Sequence, residues 1–262
     1  MCALDMDEKF WKIFFEVHSN LPRQGPGDNE STKKAFLMLT DLPSKPRILD
    51  VGCGSGMQTV ELAKLSKVTV EAVDNHVPFL EELRQNAEAE GVGGRIHAVE
   101  GSMFDLKYAD HSFDAVWSEG AIFIIGFEKG LREWKRLLAP KGYLVVSETT
   151  WLKADQPAEV AEELKQFWKQ SYLAIATVEE NLATAEKAGY RVVGHFVLPS
   201  ESWWTNYYTP ILAKLPALKQ KYRGDPKALS VLAMEDVETD VFRRYSDYYG
   251  YVFYILQNQT ER

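Results

Sequence analysis

The sequence predicts an α/β fold in which helices flank a doubly wound, mostly parallel sheet of seven strands. Apolar, strand-like runs alternate along the chain with helical patterns, which is typical of strands joined by crossover helices. A glycine-rich turn directly follows the first such run, as in nucleotide-binding sheets. The chain has 262 residues, enough for one large core, and we expect residues 1–262 to form a single domain.

The first strand covers residues 47–49 and leads into a turn that is rich in glycine. The turn reads Asp50-Val51-Gly52-Cys53-Gly54-Ser55-Gly56, and the segment after it favours a helix. Glycines adopt backbone angles that other residues avoid, and they let a ligand lie against bare main chain. The start of the helix adds unpaired N–H groups and the positive end of a dipole. This turn therefore predicts a bound, nucleotide-like cofactor.

Glycine spacing and charge distinguish between cofactors. The dinucleotide fingerprint is G-x-G-x-x-G, but the third glycine, Gly56, comes one residue early and position 57 is Met. Asp50 adds a carboxylate, which repels a pyrophosphate and attracts an ammonium group. S-adenosylmethionine (SAM) carries an amino-acid ammonium and no phosphate. The spacing therefore favours SAM over a nicotinamide cofactor.

The second strand, residues 68–73, ends at Asp74, which is 74 − 56 = 18 residues after the last glycine. That distance is enough for one helix and a returning strand. An acid at the tip of the second strand can accept both ribose hydroxyls of an adenosine, and Asn75 follows it. An Asp that merely ends a strand in a surface loop is the alternative.

Three more strand signals follow, at residues 95–100, 113–117 and 142–148. The third strand leads into Ser102 and Met103, and the fourth ends in Ser118 and Glu119. An amphipathic helix around residues 130–138 and a turn over 138–142 precede the fifth strand.

The pattern D-x-G-x-G-x-G over residues 50–56 resembles the first motif of the class I SAM-dependent methyltransferases, whose fold is Rossmann-like. The resemblance covers residues 45–150 closely, and segments such as 117–122 and 203–210 are similar to a group of small bacterial methyltransferases of mostly unknown substrate. It implies SAM as cofactor and S-adenosylhomocysteine as product. The implied cofactor-binding residues are Asp50, Gly52, Cys53, Gly54, Gly56, Asp74, Asn75, Ser102, Met103, Ser118 and Gln24. Ser102 stands where the family often has an Asp that binds the adenine amine.

Residues 1–44 are interpreted as a helical lid that precedes the SAM-binding core. Helical patterns cover 6–18 and 30–40, and the second is capped by Asn29 or Ser31. Methyltransferases that resemble this chain close such a lid over the cofactor.

The loop 22–28 between the two helices is rigid and polar. If the lid closes, Gln24 can reach the cofactor and Arg23 the acceptor or the SAM carboxylate. A plain surface loop is the alternative.

The C-terminal half, residues 151–262, includes a helical insertion at about 200–247, just before the last strand. The resemblance implies that this strand runs antiparallel to the others, so that the insertion projects over the active face as a cap. Trp203 and Tyr207 begin the insertion and can line a pocket for an apolar or cationic acceptor. They can equally seal the cap onto the sheet.

Methyl transfer from a sulfonium is an in-line displacement, so most of the catalysis can come from positioning. A base is needed where the acceptor must lose a proton. Glu119 is the catalytic candidate, because the family places acceptor-facing residues at the end of the fourth strand; a solvent-facing carboxylate is the alternative. His18 and Glu148 are weaker candidates. We expect methyl transfer to a small-molecule acceptor, while a SAM-binding scaffold without catalysis, or a protein or amine methyltransferase, stays open.

Composition argues against several other classes. The net charge of −8 disfavours a nucleic-acid partner, and the five histidines have no short-spaced metal-ligand pattern. No apolar run approaches the roughly 20 residues of a membrane helix, and no secretory signal is recognised. Two cysteines give no disulfide framework, so we expect a cytoplasmic protein, monomeric or homodimeric.

Overall fold

The computed structural model describes residues 7–153, 155, 157–171 and 175–259, and its centre is a single sheet. In chain order the strands are β1 (Ile48–Val51), β2 (Val70–Asp74), β3 (Ile96–Glu100), β4 (Phe113–Glu119), β5 (Leu138–Trp151), β6 (Ala176–Thr177), β7 (Tyr190–Val197) and β8 (Tyr249–Asn258). The main path through the sheet is β3-β2-β1-β4-β5-β8-β7, and the two-residue β6 pairs with the end of β5.

The helices are α1 (Glu8–His18), α2 (Asn29–Leu37), α3 (Met57–Ser66), α4 (Val77–Ala89), α5 (Phe127–Trp134), α6 (Ala158–Ser171), α7 (Val178–Lys187), α8 (Ser200–Trp203), α9 (Thr209–Lys221) and α10 (Pro226–Tyr245). A π-helical turn, Trp204–Tyr208, joins α8 to α9.

Strand directions confirm the predicted Rossmann-like, doubly wound sheet. β1 pairs in parallel with β2 and with β4, and β4 pairs in parallel with β5. Within the described residues, β8 is the strand that pairs antiparallel, with β5 on one side and β7 on the other. The carboxyl ends of β1, β2 and β4 therefore meet at one edge, where ligands of such sheets bind.

Hydrophobic side chains pack on both faces of the sheet, because successive residues of a strand point to opposite sides. In β1, Leu49 and Val51 belong to the cluster that contains α5 and α7. Ile48 belongs to the other cluster, which contains α1, α3, α4, α9 and α10. The lid and the cap thus lie on the same side of the sheet as α3 and α4.

Three sequence predictions need correction. Asp28 caps α2, in place of Asn29 or Ser31, and its Oδ1 accepts from the Ser31 N–H at 2.6 Å. The turn predicted over 138–142 lies inside β5, whose register with β4 is irregular there. The helix expected around 130–138 is α5, and it ends earlier, at Trp134.

Lid and cap are joined to each other by polar contacts. Lys214 of α9 donates to the carbonyls of Glu16, Val17 and Ser19 at 2.6–2.8 Å, which satisfies the end of α1. Asn206 donates to the Gly27 carbonyl at 2.8 Å. A third link is the hydrogen bond from Ser202 to the Asp28 carboxylate.

Limited trypsin digestion should cut first after Arg223 and not after Arg23. Composition favours cleavage at residues 22–28 or 219–227, where glycine, proline and charge gather. Arg23 is buried, whereas Arg223 and Gly224 are exposed between α9 and α10. Mass spectrometry of the first fragments decides between the two segments. A stable fragment that ends near residue 150 would contradict the proposal of a single domain.

Candidate functional site

Three glycines with left-handed backbone shape the turn after β1. Their φ angles are +73° at Gly52, +54° at Gly54 and +80° at Gly56, a region that favours glycine. The N–H groups of Gly52 and Cys53 both donate to the Val73 carbonyl, at 2.8 and 3.1 Å. The turn is therefore tied to β2, and its main chain lies at the carboxyl edge of the sheet as predicted.

Asp50 is fully buried beneath this turn. Its Oδ2 accepts from the Thr59 hydroxyl at 2.6 Å and from the Gln58 amide at 3.2 Å. Its Oδ1 is buried and has no hydrogen-bond partner among the described residues. Burial raises the pKa of Asp50 to about 7, and these two hydrogen bonds oppose the rise. An ammonium group or a water molecule would satisfy the free oxygen.

Asp74 lies at the tip of β2 beside the turn, where the sequence predicts it. Its Oδ2 accepts from the Gly54 N–H and its Oδ1 from the His76 N–H, both at 2.9 Å. Burial raises its pKa, while these hydrogen bonds lower it. Each carboxylate oxygen has a second lone pair, so ribose hydroxyls can still be accepted. Asn75 next to it is exposed.

Three side chains near the predicted adenine corner, Met103, Ser102 and Ser118, differ in burial and in their contacts. The Met103 methyl would lie 3.5 Å from a Cβ placed on Gly52, so Met103 covers the glycine turn. Ser102 is exposed, and its hydroxyl accepts from the Phe104 N–H at 3.3 Å. Ser118 is fully buried and donates to the Val51 carbonyl at 2.9 Å. The Ser118 side chain therefore braces β4 against β1 and does not face a cofactor.

Gln24 connects the lid to the glycine turn by a hydrogen bond. Its Oε1 accepts from the Ser55 N–H at 2.6 Å, and its amide donates to the His18 carbonyl at 3.3 Å. The same oxygen would lie 2.5 Å from a Cβ on Gly54, so that position must remain bare. Gln24 is thus the lid residue that contacts the cofactor turn directly.

Arg23 and Glu119 form a buried ion pair, which changes the roles predicted for both. Arg23 Nη1 donates to Glu119 Oε2 at 2.6 Å, and Nη2 donates to the Thr32 hydroxyl at 3.1 Å. The other oxygen of Glu119 accepts from Thr32 at 2.7 Å and from the Trp117 indole at 2.8 Å. In this arrangement Arg23 does not face an acceptor, and the Glu119 carboxylate is engaged by three donors.

Trp203 and Tyr207 are both buried between the cap and its neighbours. Trp203 stacks on Phe242 with ring centroids 4.2 Å apart and packs against Tyr251 at 4.7 Å. Burial lowers the pKa of His18 to about 4, so the ring is neutral. His18 donates through Nδ1 to the Phe14 carbonyl, so its Nε2 accepts from the Tyr207 hydroxyl at 3.0 Å. His18 is a satisfied core histidine and not a base.

Glu148 of β5 has properties that its sequence context did not indicate. It is 9% exposed, and burial raises its pKa to about 8. Its Oε1 accepts from the Thr149 N–H at 2.7 Å, and within the described residues it has no positively charged partner. The Thr32 and Trp117 contacts were also missed, although Trp117 and Glu119 are two apart in a strand and so share a face.

The structure thus brings the predicted cofactor residues together at one edge, apart from the turned-away side chain of Ser118. A groove of about 810 Å³ lies at the other edge, against Arg47 and Lys67 beside the amino ends of the strands. The described residues contain no group of side chains that could hold a metal ion. No helix among them is both long and apolar enough to cross a bilayer.

Comparison with known proteins finds methyltransferases that are similar to part of this chain. Residues 49–146 match the family model of a methyltransferase domain. A sterol 24-C-methyltransferase of Neurospora crassa is 27% identical over 175 residues, which cover 64% of this chain and 46% of that protein. The methyltransferase GfsG of Streptomyces halstedii is 32% identical over 109 residues, or 41% of this chain and 39% of its own length. This chain therefore spans less than half the length of these two relatives.

Solved structures share the fold over nearly the whole chain. A SAM-dependent methyltransferase of Geobacter sulfurreducens in complex with S-adenosylhomocysteine has a TM-score of 0.77 at 22% identity, covering 97% of this chain and 99% of that one. YjhP of E. coli has a TM-score of 0.78 at 23% identity, covering 94% and 98%. The 4+2 cyclase SpnF has a TM-score of 0.71 at 17% identity, covering 97% and 94%.

Proposed function

We propose that this chain is a class I SAM-dependent methyltransferase, and that it transfers a methyl group from SAM to a small-molecule acceptor by in-line displacement. The observation that carries the proposal is Asp50 Oδ1, which is buried beneath three left-handed glycines and has no hydrogen-bond partner in the described part of the chain. A carboxylate at that place suits an ammonium group and repels a phosphate.

The residues of the turn fit SAM. Asp50 would accept the ammonium group, directly or through water, and Asp74 would accept the ribose hydroxyls. Met103 would cover the adenine. A Cβ on Gly52 would meet Ala121, and one on Gly54 would meet Gln24, so the turn keeps this shape only with glycine at both positions. When bound, SAM supplies a methyl group on a positively charged sulfur.

Catalysis by this chain is proposed to rest on positioning and on exclusion of water. Glu119 becomes a positioning residue: it holds Arg23 and Thr32, and thereby the loop that places Gln24 on the glycine turn. The hydrogen bonds from Asn206 and Lys214 of the cap to the lid hold the lid in this position. If the acceptor must lose a proton, Glu148 is the candidate base, because within the described residues its carboxyl group has no cationic partner.

Substitution of Asp74 by alanine is expected to weaken binding of S-adenosylhomocysteine by about 2–3 kcal/mol, since charge-assisted hydrogen bonds contribute about 1.5–3 kcal/mol. Calorimetric titration measures the loss. Asp114→Asn is the control, because Asp114 pairs with Arg47 at the opposite edge of the sheet and should leave the affinity unchanged. An unchanged affinity in Asp74→Ala would remove the ribose assignment.

A SAM-binding protein without methyl transfer is the second candidate function. The observation that favours it is the fold shared with a protein that is named a cyclase. Titration with SAM and with NAD, followed by turnover assays on an acceptor panel, separates the candidates. Binding of NAD in place of SAM would contradict both. Tight binding of SAM without turnover on any acceptor would favour the scaffold.

We also propose that the protein works in the cytoplasm on a small molecule, as a monomer or homodimer, without a nucleic-acid partner. The net charge of −8 supports the choice against nucleic acid, since an acidic surface repels phosphates. The buried, free thiol of Cys53 fits a reducing compartment. Light scattering gives the oligomeric state.

A further inference from the structure

The groove of about 810 Å³ lies at the edge of the sheet opposite the glycine turn. Its walls come from the amino ends of β1, β2 and β4, from the residue before β3 and from the end of α3. Binding sites for small molecules typically have volumes of about 300–1,000 Å³. None of the residues proposed to bind SAM or the acceptor lines this groove, so it is a candidate site for a different ligand.

The groove is rich in positive charge, although the chain as a whole has a net charge of −8. Glu71 is the acidic residue among the described residues that line it, and its carboxylate is already bonded to Tyr108 at 3.0 Å and to His97 at 2.8 Å. Basic side chains gathered in one cleft attract anions. The basic residues that line the groove are Lys45, Arg47, Lys67 and Arg95.

Most of this positive charge is not balanced within the protein. Arg47 forms a bidentate ion pair with Asp114, at 3.1 and 3.2 Å, and is thereby neutralised. The side chains of Lys45 and Lys67 have neither an ion pair nor a hydrogen bond with any residue that the structure describes. Two lysine charges in the groove are therefore available to a ligand.

Arg95 adds a third charge, which the end of α3 holds in position. Its Nη1 donates to the Ala63 carbonyl at 3.2 Å, which also offsets the partial negative charge at this end of the helix. A guanidinium has five N–H donors, so the others can bind an anion. The exposed hydroxyl of Thr69 lies in the same groove and is a further donor.

Lys67 has a backbone conformation that favours glycine. It ends α3 with a φ of +58° and a ψ of 21°, the left-handed conformation that glycine usually supplies at the end of a helix. An L-residue is strained there, and strained residues are concentrated at functional sites. The charge of Lys67 also suits the negative end of the helix, so a test of its role must measure binding together with stability.

We propose that this groove binds a small anion with several negative charges, such as a compound with several phosphate or carboxylate groups. Lys45, Lys67 and Arg95 supply the positive charge, and the guanidinium of Arg95 adds the geometry for parallel hydrogen bonds to such a group. The inference goes beyond the proposed function, because the groove lies at the other edge of the sheet and shares no residue with the SAM site.

The first test compares anions that differ in charge. Tripolyphosphate, citrate and acetate are titrated into the full chain by calorimetry at low ionic strength, because salt screens exposed charges. We expect tripolyphosphate or citrate to bind at least tenfold more tightly than acetate, and the tighter of the two identifies phosphate or carboxylate as the recognised group. Equal affinity of all three would overturn the inference. Binding of a short oligonucleotide, with no binding of tripolyphosphate or citrate, would overturn it as well.

Two variants should change the affinity for the tighter probe in opposite directions. Lys67→Gly removes a positive charge and should weaken binding at least threefold. Its melting temperature should be unchanged or higher, because glycine suits the left-handed backbone. Asp114→Asn removes the acid that neutralises Arg47 and should strengthen binding at least twofold.

Lys141→Gly is the matched control for the change at position 67. Lys141 also has a left-handed backbone, with a φ of +61°, but it does not line the groove. Its replacement should therefore relieve the same kind of strain and leave the affinity for the probe unchanged. Unchanged affinity in Lys67→Gly, or an equal loss in Lys141→Gly, would contradict the inference.

Discussion

Replacement of Glu119 by glutamine is expected to lower the free energy of unfolding by about 3–5 kcal/mol, because it leaves a buried guanidinium without its counter-charge. The Arg23 and Glu119 side chains are 4% and 2% exposed, and their charged atoms lie 2.6 Å apart. Urea unfolding followed by circular dichroism measures the loss. We also expect weaker binding of S-adenosylhomocysteine, since Arg23 precedes the residue that closes on the glycine turn.

An exposed ion pair with the same distance between its charged atoms provides the control. Arg132 and Glu128 also lie 2.6 Å apart, but their side chains are 65% and 60% exposed. Glu128→Gln should therefore cost less than about 1 kcal/mol. Removal of both partners, in Arg23→Met with Glu119→Gln, should cost less than the two single changes added together. Unchanged stability with turnover reduced by roughly 10²–10⁴ would instead assign Glu119 to general-base catalysis.

Alanine at position 56 is expected to destabilise the protein by about 2–5 kcal/mol, from two causes. A left-handed backbone costs an L-residue about 1–2 kcal/mol, and Gly56 has a φ of +80°. The new Cβ would also lie 2.0 Å from the Leu83 Cδ1, and overpacking of this kind costs about 1–3 kcal/mol. The midpoint of urea unfolding measures the sum. Binding of S-adenosylhomocysteine should fall with it, because Gly56 caps the helix that follows the turn.

The two causes can be separated with a second glycine. Gly91 has a φ of +69°, and a Cβ placed on it would meet nothing within 4 Å. Gly91→Ala should therefore show the backbone cost alone, about 1–2 kcal/mol. Equal losses at positions 56 and 91 would mean that the Leu83 contact relaxes without cost.

Local patterns were sufficient to predict the sheet and the cofactor edge. The positions of β1 to β5 along the chain, the glycine turn and the place of Asp74 follow from short apolar runs and from turn chemistry, which depend on neighbouring residues. The Rossmann-like topology and the antiparallel last strand were expected from the family resemblance. The cap of α2 was mispredicted because Asp28, Asn29 and Ser31 are all good cap residues, so propensity does not choose between them.

Long-range pairings could not be predicted in the same way. Arg23 and Glu119 are 96 residues apart, and nothing in either segment indicates the other. Glu119 therefore resembled a free acid at the end of a strand. Ser118 was assigned to the cofactor for the same reason, although its hydroxyl binds the main chain of β1.

The place of β8 between β5 and β7 sets the order in which a growing chain can fold on the ribosome. The parallel strands β1 to β5 can pair as soon as they are made, but β7 cannot join the sheet until the last strand has been translated. The N-terminal helix waits as well, since Lys214 binds Val17 across 197 residues. At about 5–20 residues per second, that wait is about 10–40 s. During synthesis the cofactor edge is therefore uncovered until the cap has been made, and the apolar surface beneath the lid is exposed for the same time.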